Sequence, residues 1–138
     1  MKFQAHHFML SVRNVEASAK FYALLGFSPL SDYRDDEVRI AQFQNADGFI
    51  VELFEYEFNK NKPMLDLTPG NNLEELGVRH FGFCVDDLTT AYEFLSQSGY
   101  KTIEPRIGRT KGMEYFFVQD TDGNWVEIAT DSRIKEKN

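Results

Sequence analysis

The sequence predicts an α+β fold made of two tandem βαβββ modules within a single domain of 138 residues. Three observations predict it. A shift of 73 residues places the segment 7–12 on 80–85, with His, Phe and Val in matching positions. Each segment is followed by residues with helical spacing that end at a glycine, and a shift of 75 places 47–53 on 122–128. The repeat indicates a duplicated module of roughly 50 residues.

A helix follows the first strand of each module. Asn14 and Asp87 are residue types that cap helix N-termini, and a glycine one turn past each apolar stretch is a common helix stop. We expect Ala17, Phe21 and Leu24 or Leu25 to lie on one stripe of the first helix. The predicted helices are Val15–Leu25 and Leu88–Ser98.

Three further strands complete each module. An Asp-Gly pair, at 47–48 and again at 122–123, marks the turn before the last strand. A mostly polar segment with Pro63 and Pro69-Gly70 separates the two copies and is interpreted as a linker. The other predicted strands are 27–34, 38–44, 100–106 and 113–119, and the predicted organisation is module one 1–56, linker 57–78 and module two 79–130.

The composition excludes several classes of protein. The chain has 15 Lys and Arg against 22 Asp and Glu, which leaves a net charge of −7 and disfavours nucleic acid or an anionic membrane as a partner. Cys84 is the only cysteine, so an internal disulfide and a CxxC site are excluded. No run of about 18 apolar residues is present. We therefore expect a cytoplasmic protein that acts on a small-molecule substrate.

Four repeated residues form a candidate metal site. His7 and Glu52 recur as His80 and Glu127, with sequence separations of 45 (52 − 7) and 47 (127 − 80). Side chains alternate along a strand, so each module can present its His and its Glu on one face. Imidazole and carboxylate together suit one divalent ion, with Ni, Co, Mn, Fe and Zn all open, and leave positions for water or substrate.

A single His or Glu is more often a surface or packed residue than a ligand. Four of them at matching offsets favour metal binding, because burying two carboxylates and two imidazoles without a cation is costly. His6 is interpreted differently, since strand alternation places it opposite His7 and the second module has Arg79 at its position. Cys84 is interpreted as a small core residue of a strand, with no cation nearby in sequence to activate it.

These motifs resemble those of the vicinal-oxygen-chelate superfamily, which includes glyoxalases, bleomycin-resistance proteins and extradiol dioxygenases. The resemblance covers the chain to about residue 130. It implies paired βαβββ modules that form an incomplete barrel around a metal site. The resemblance rests on four segments: HFMLSVRNVEASAKFYALLGF at the start, VEL at residues 51–53, RHFGFCVDDL at 79–88 and DTDGNWVEI at 120–128.

Within that superfamily, the order His, Glu, His, Glu is most like bacterial glyoxalase I, a lactoylglutathione lyase. The resemblance implies a metal held by His7, Glu52, His80 and Glu127. It also implies that Glu127, with Glu52 as its symmetric partner, removes a proton from the hemithioacetal of methylglyoxal and a small thiol such as glutathione. The metal stabilises the enediolate, and a 2-hydroxyacyl thioester is formed. The resemblance also implies a homodimer, with the site formed within one chain or across two.

The candidate substrate-binding residues share the ligand face or lie in a basic loop. Glyoxalase I commonly has Arg at the position of Ser11 and Asn at the position of Tyr56. The positive charge that usually contacts glutathione is therefore missing at Ser11. Lys111 and Arg109 resemble a basic loop that binds the thiol cofactor, or are residues of an ordinary solvated hairpin. The full candidate set is Met9, Ser11, Phe54, Tyr56, Arg109, Lys111 and Trp125.

Other activities remain open. A fosfomycin-type enzyme opens an epoxide at a similar metal centre, and an epimerase uses the same proton abstraction but commonly has Gln in place of Glu52. Extradiol dioxygenases usually need an additional acid–base His, and only His6 is left for that role. A bleomycin-type protein binds a cationic drug without metal. It would need neither His7 nor His80, which the enzyme requires.

Overall fold

A computed structural model of the chain describes residues 1–70 and 73–134. It contains two compact units, Met1–Met64 and a second unit from Leu65 onward, each with one four-stranded open sheet and one α-helix. The predicted α+β class and the two βαβββ modules are confirmed. Of the predicted linker 57–78, residues 71–72 lie outside the described residues. Neither described helix, of 10 and 9 residues, has the length and apolar character needed to cross a membrane.

The first unit has the strand order β1-β4-β3-β2. β1 and β4 are parallel, and the other two pairs are antiparallel. A single 3₁₀ turn, Glu57–Asn59, follows the last strand. The elements are β1 His7–Val12, α1 Val15–Leu24, β2 Ser28–Arg34, β3 Val38–Gln44 and β4 Ile50–Tyr56.

The second unit repeats this topology with the order β5-β8-β7-β6. Again the first and last strands of the unit are parallel, and the rest are antiparallel. The parallel pair brings the start of the unit beside its end, which is what places a His near a Glu 47 residues later. The elements are β5 Phe81–Cys84, α2 Leu88–Ser96, β6 Thr102–Ile107, β7 Met113–Gln119 and β8 Trp125–Asp131.

The predicted helix caps are confirmed. The Asn14 carboxamide oxygen accepts a hydrogen bond from the Ala17 amide at 2.8 Å, and the Asp87 carboxylate accepts one from the Thr90 amide at 3.0 Å. Each satisfies one of the backbone donors that a helix start leaves unpaired. Both helices end before a glycine with positive φ, 92° at Gly26 and 91° at Gly99.

Within the predicted stripe of the first helix, Phe21 is buried and Leu25 is half-buried. Ala17 and Leu24 are only half-buried. Tyr22 is buried because its ring packs edge-on against Phe8 of β1, with centroids 6.3 Å apart. The buried residues of α1 are Val15, Ser18, Phe21 and Tyr22.

The Asp-Gly turns are built alike in the two units but differ in burial. Asp120 is 1% exposed, and its carboxylate accepts hydrogen bonds from the amides of Asp122 and Asn124 at 3.0 and 2.9 Å. It also accepts one from the Asn124 carboxamide at 2.9 Å. In the first unit the half-buried Asn45 accepts from the amides of Asp47 and Phe49 at 3.1 and 2.9 Å.

We expect Asp120→Ala to lower the free energy of unfolding by roughly 2–3 kcal/mol, because it leaves buried donors without an acceptor. Asn45→Ala is the matched variant. It should lower the free energy of unfolding by about 1 kcal/mol, since water can replace the lost acceptor at this half-buried position. Urea unfolding measures both. An Asp120→Ala loss no larger than that of Asn45→Ala would contradict this view of the buried turn.

Candidate metal-binding pairs

The first pair lies on the two parallel strands of the first sheet. The register pairs His7 with Ile50 and Met9 with Glu52, so His7 and Glu52 are diagonal neighbours on one face. His7 Nε2 lies 3.1 Å from Glu52 Oε1. The opposite face of β1 is the more buried one, and Phe8 there contacts α1. The strand alternation predicted from sequence is confirmed in β1.

The second pair repeats this relation. His80 lies directly before β5, and the register pairs Phe81 with Val126 and Gly82 with Glu127. His80 Nε2 lies 3.2 Å from Glu127 Oε2. A Cβ at Gly82 would approach the Glu127 backbone oxygen to 2.9 Å, so the glycine lets the two strands lie close at this point. The structure therefore places a His nitrogen against a Glu oxygen in both units.

The spacing of the nitrogen and oxygen atoms in both pairs is that of an ordinary hydrogen bond and is also compatible with two ligands of one metal ion. Ligands at about 2.0–2.2 Å from an ion, at right angles to each other, lie roughly 3.0 Å apart. The observed separations of 3.1 and 3.2 Å match this value. The side chains are partly open to solvent, at 45% and 18% exposure for His7 and Glu52 and 28% and 21% for His80 and Glu127. Both pairs fit a divalent ion as two adjacent ligands.

Each unit by itself supplies two such ligands. Over residues 1–70 and 73–134, no cluster of three or more His, Cys, Asp and Glu side chains is positioned to hold a metal ion.

The surroundings of the two glutamates differ. Glu52 Oε2 accepts a hydrogen bond from the Gln42 carboxamide at 2.8 Å, and the Ser31 hydroxyl donates to the Gln42 oxygen at 2.7 Å. Glu127 is opposite Phe117 of β7 instead. In the described part of the chain, the hydrogen-bond contact of the Glu127 carboxylate is to His80 alone. Gln42 and Ser31 were not predicted from sequence, although Gln42 occupies the ligand face of an alternating strand.

His6 also contacts the first pair. Its Nδ1 lies 2.9 Å from His7 Nδ1, and the two rings are perpendicular with centroids 5.1 Å apart. The alternation rule placed His6 on the far face, but it precedes β1 and its ring is turned toward its neighbour. A hydrogen bond at Nδ1 leaves Nε2 of His7 as the nitrogen that faces Glu52.

Cys84 does not have the features of a nucleophile. Desolvation raises the pKa of its thiol, and the nearby carboxylates of Asp131, Asp86 and Glu127 raise it further. The thiolate is thereby disfavoured at neutral pH, as expected for a cysteine with no activating cation, but the prediction that Cys84 is a core residue is wrong because the residue is exposed.

The candidate substrate-binding residues of the first unit lie on the same two strands as its pair, β1 and β4. Met9 is exposed opposite Glu52, and the Ser11 hydroxyl accepts a hydrogen bond from the Asn59 carboxamide at 3.2 Å. The rings of Phe54 and Tyr56 are 6.5 Å apart. Tyr56 in turn stacks on Phe58 at 5.3 Å, and Lys62 Nζ lies 5.0 Å from the centre of the Phe58 ring.

The candidates of the second unit have separate locations. Trp125 is buried, and its indole N–H donates to the Leu67 carbonyl at 2.6 Å, so this group is already used within the protein. Arg109 and Lys111 are exposed in the loop between β6 and β7. That loop adjoins the end of β8, because Met113 pairs with Asp131, four residues beyond Glu127.

The comparisons agree with this architecture. The family model described as "Glyoxalase/Bleomycin resistance protein/Dioxygenase superfamily" matches residues 4–128. Uncharacterized protein YaeR of Escherichia coli is 27% identical over 91% of this chain and 94% of its own length. Lactoylglutathione lyase of Schizosaccharomyces pombe is 24% identical over 98% of this chain, which spans 50% of that protein. The crystal structure of a glyoxalase family protein from Enterococcus faecalis has a TM-score of 0.74 and 24% identity, covering 91% of this chain and 96% of that one.

Proposed function

Because the chain belongs to the Glyoxalase/Bleomycin resistance protein/Dioxygenase superfamily, we propose that it is a metal-dependent lyase of the glyoxalase I type. The proposed substrate is the hemithioacetal of a 2-oxoaldehyde, such as methylglyoxal, and a small thiol. The product is a 2-hydroxyacyl thioester. The observation that carries the proposal is the repeated pair, with its His nitrogen 3.1 and 3.2 Å from a Glu oxygen.

In this proposal His7, Glu52, His80 and Glu127 bind one divalent ion. Their two imidazole nitrogens and two carboxylate oxygens are compatible with Ni, Co, Mn, Fe or Zn and leave coordination positions for substrate oxygens. The bound ion supplies a positive charge that stabilises negative charge developing on those oxygens. The proposed assembly is a homodimer, with the two pairs of one site drawn from one chain or from both.

Glu127 is the proposed general base. Its carboxylate takes the proton from C1 of the hemithioacetal and returns it to C2, while the hydroxyl proton passes from one substrate oxygen to the other. No group leaves, so the reaction is an isomerisation. The proposal is supported by the surroundings of Glu127, because the buried Phe117 ring opposite it offers no hydrogen bond to hold the carboxylate.

The function is tested by supplying the purified protein with one metal at a time and assaying methylglyoxal with glutathione and with other small thiols. Ser11 and Tyr56 bring no positive charge to the expected thiol-binding positions, so the thiols tested should not be limited to glutathione. We expect a thioester to form with metal and not after chelation. Opening of a phosphonate epoxide without thioester formation would point to a fosfomycin-type enzyme. Drug binding that survives the loss of His7 and His80 would point to sequestration.

A further inference from the structure

We propose that Gln42 is a positioning residue that fixes Glu52 as a metal ligand, and that Ser31 in turn fixes Gln42. This inference rests on the proposed function, because it assigns Gln42 a role toward the metal. It concerns the first unit alone.

Both carboxylate oxygens of Glu52 have a side-chain contact, and the one from Gln42 is a hydrogen bond. His7 Nε2 lies 3.1 Å from Oε1, and the Gln42 nitrogen donates to Oε2 at 2.8 Å. The carboxylate plane is thus held from two sides. At 18% exposure, the Glu52 side chain has little water to compete with these contacts.

Glu52 and Ser31 together fix which way the Gln42 carboxamide points. A carboxamide has one oxygen and one NH₂ group, and either could face Glu52. The Ser31 hydroxyl donates to the Gln42 oxygen at 2.7 Å, so the NH₂ group is the end left for the carboxylate. A serine hydroxyl can donate or accept, whereas a carboxylate only accepts, so Glu52 sets this orientation and the Ser31 hydrogen bond stabilises it.

Strand register places the three residues in one row. Ser31 pairs with Gln42, and Gln42 pairs with Glu52. Directly opposed residues in antiparallel strands have Cβ atoms about 4.5–5.5 Å apart, within reach of these side chains. An irregularity between Pro29 and Ser31 sets the first of these pairings, so the row depends on the fold of β2.

The second unit keeps the ligands and lacks the donor. The residue opposite Glu127 is Phe117, which corresponds to Gln42 in the topology. Its ring packs edge-on against His80, with centroids 5.2 Å apart, and cannot donate to a carboxylate. The repeat therefore distinguishes a held glutamate, Glu52, from a less restrained one, Glu127. Loss of a hydrogen bond to a metal ligand from a residue that does not touch the metal typically lowers metal affinity or activity by about 10–100-fold.

The test is the affinity of Co²⁺ for the Gln42→Met variant, measured by competition with a chelator, together with the Co²⁺ absorption spectrum. Methionine keeps the length of the side chain and removes the donor. We expect affinity to fall by roughly 10–100-fold and the spectrum to shift, because the ligand is no longer held in one orientation. Ser31→Ala should produce a smaller change in the same direction.

Gln44→Met is the matched control. Gln44 lies two residues along the same strand, and its carboxamide donates to the Gly48 carbonyl at 3.2 Å rather than to a ligand. We expect wild-type Co²⁺ affinity and spectrum for this variant. Circular dichroism of both variants shows whether the fold is retained. NMR of the metal-free protein tests the hydrogen bond itself, because the Gln42 side-chain NH₂ resonances should shift when Glu52 is replaced by Ala.

The outcomes separate the two proposals. Wild-type Co²⁺ affinity and spectrum in folded Gln42→Met would overturn the role of Gln42 and leave the proposed function standing. Failure of the wild-type protein to bind Co²⁺ or any other divalent ion would overturn the proposed function and the role of Gln42 with it. A Gln42→Met defect no larger than that of Gln44→Met would also overturn the positioning role.

Discussion

Glu127→Gln is expected to lower kcat for thioester formation by roughly 10²- to 10⁴-fold, the usual contribution of a positioned general base. Glutamine has nearly the same shape, and its oxygen can still approach a metal ion, but it cannot take a proton from carbon at neutral pH. Because glutamine fills nearly the same volume as glutamate, the change should leave the fold intact. Steady-state kinetics at equal metal content measure the effect.

Glu52→Gln is the matched comparison in the other unit. Glu52 is held by His7 and Gln42, so its replacement should act mainly through weaker metal binding. Extra metal should then restore much of the activity of Glu52→Gln and none of the activity of Glu127→Gln. Full activity in metal-loaded Glu127→Gln would exclude Glu127 as the base.

The second large effect is expected from the two histidines of the pairs. His7→Ala and His80→Ala each remove a nitrogen ligand of the proposed metal ion. Loss of a residue that only hydrogen-bonds to a ligand lowers metal affinity by roughly 10–100-fold, and loss of a ligand should lower it further. The purified variants should therefore contain much less than the stoichiometric amount of metal. Elemental analysis after removal of loosely bound ions measures this loss.

His6→Ala is the control, because His6 is the one histidine of the chain that is not assigned as a ligand. It contacts Nδ1 of His7 and leaves Nε2 and Glu52 in place. We expect this variant to retain stoichiometric metal at a reduced affinity. Stoichiometric metal in His80→Ala, or a complete loss in His6→Ala alone, would contradict the assignment of the ligands.

The repeat in the sequence predicted the fold closely where the local signals are strong. β3 and β7 begin and end where the alternation placed them, and the Asn14 and Asp87 caps start both helices as expected. β6 begins at Thr102 rather than at the predicted residue 100. The predicted helix ends at Leu25 and Ser98 lie one and two residues beyond the observed ends, because the last turn before a glycine often departs from α-helical geometry.

The site was predictable only as a set of residue types. Alternation correctly put His7 and Glu52 on one face, but it does not give the register between strands. The contact between Gln42 and Glu52 depends on the register of β3 against β4, and that of Ser31 depends on the irregularity in β2. His6 lies outside the strand, where alternation no longer applies. These contacts required the three-dimensional structure.

The number of metal ions per chain is the most direct test of the central claim, that two His–Glu pairs share one ion. Protein produced with a single supplied metal and freed of weakly bound ions should contain one ion per 138-residue chain. This ratio is the same whether the two pairs of a site come from one chain or from both chains of a homodimer. Two ions per chain, one for each pair, or none after supplementation with each candidate metal would contradict the claim.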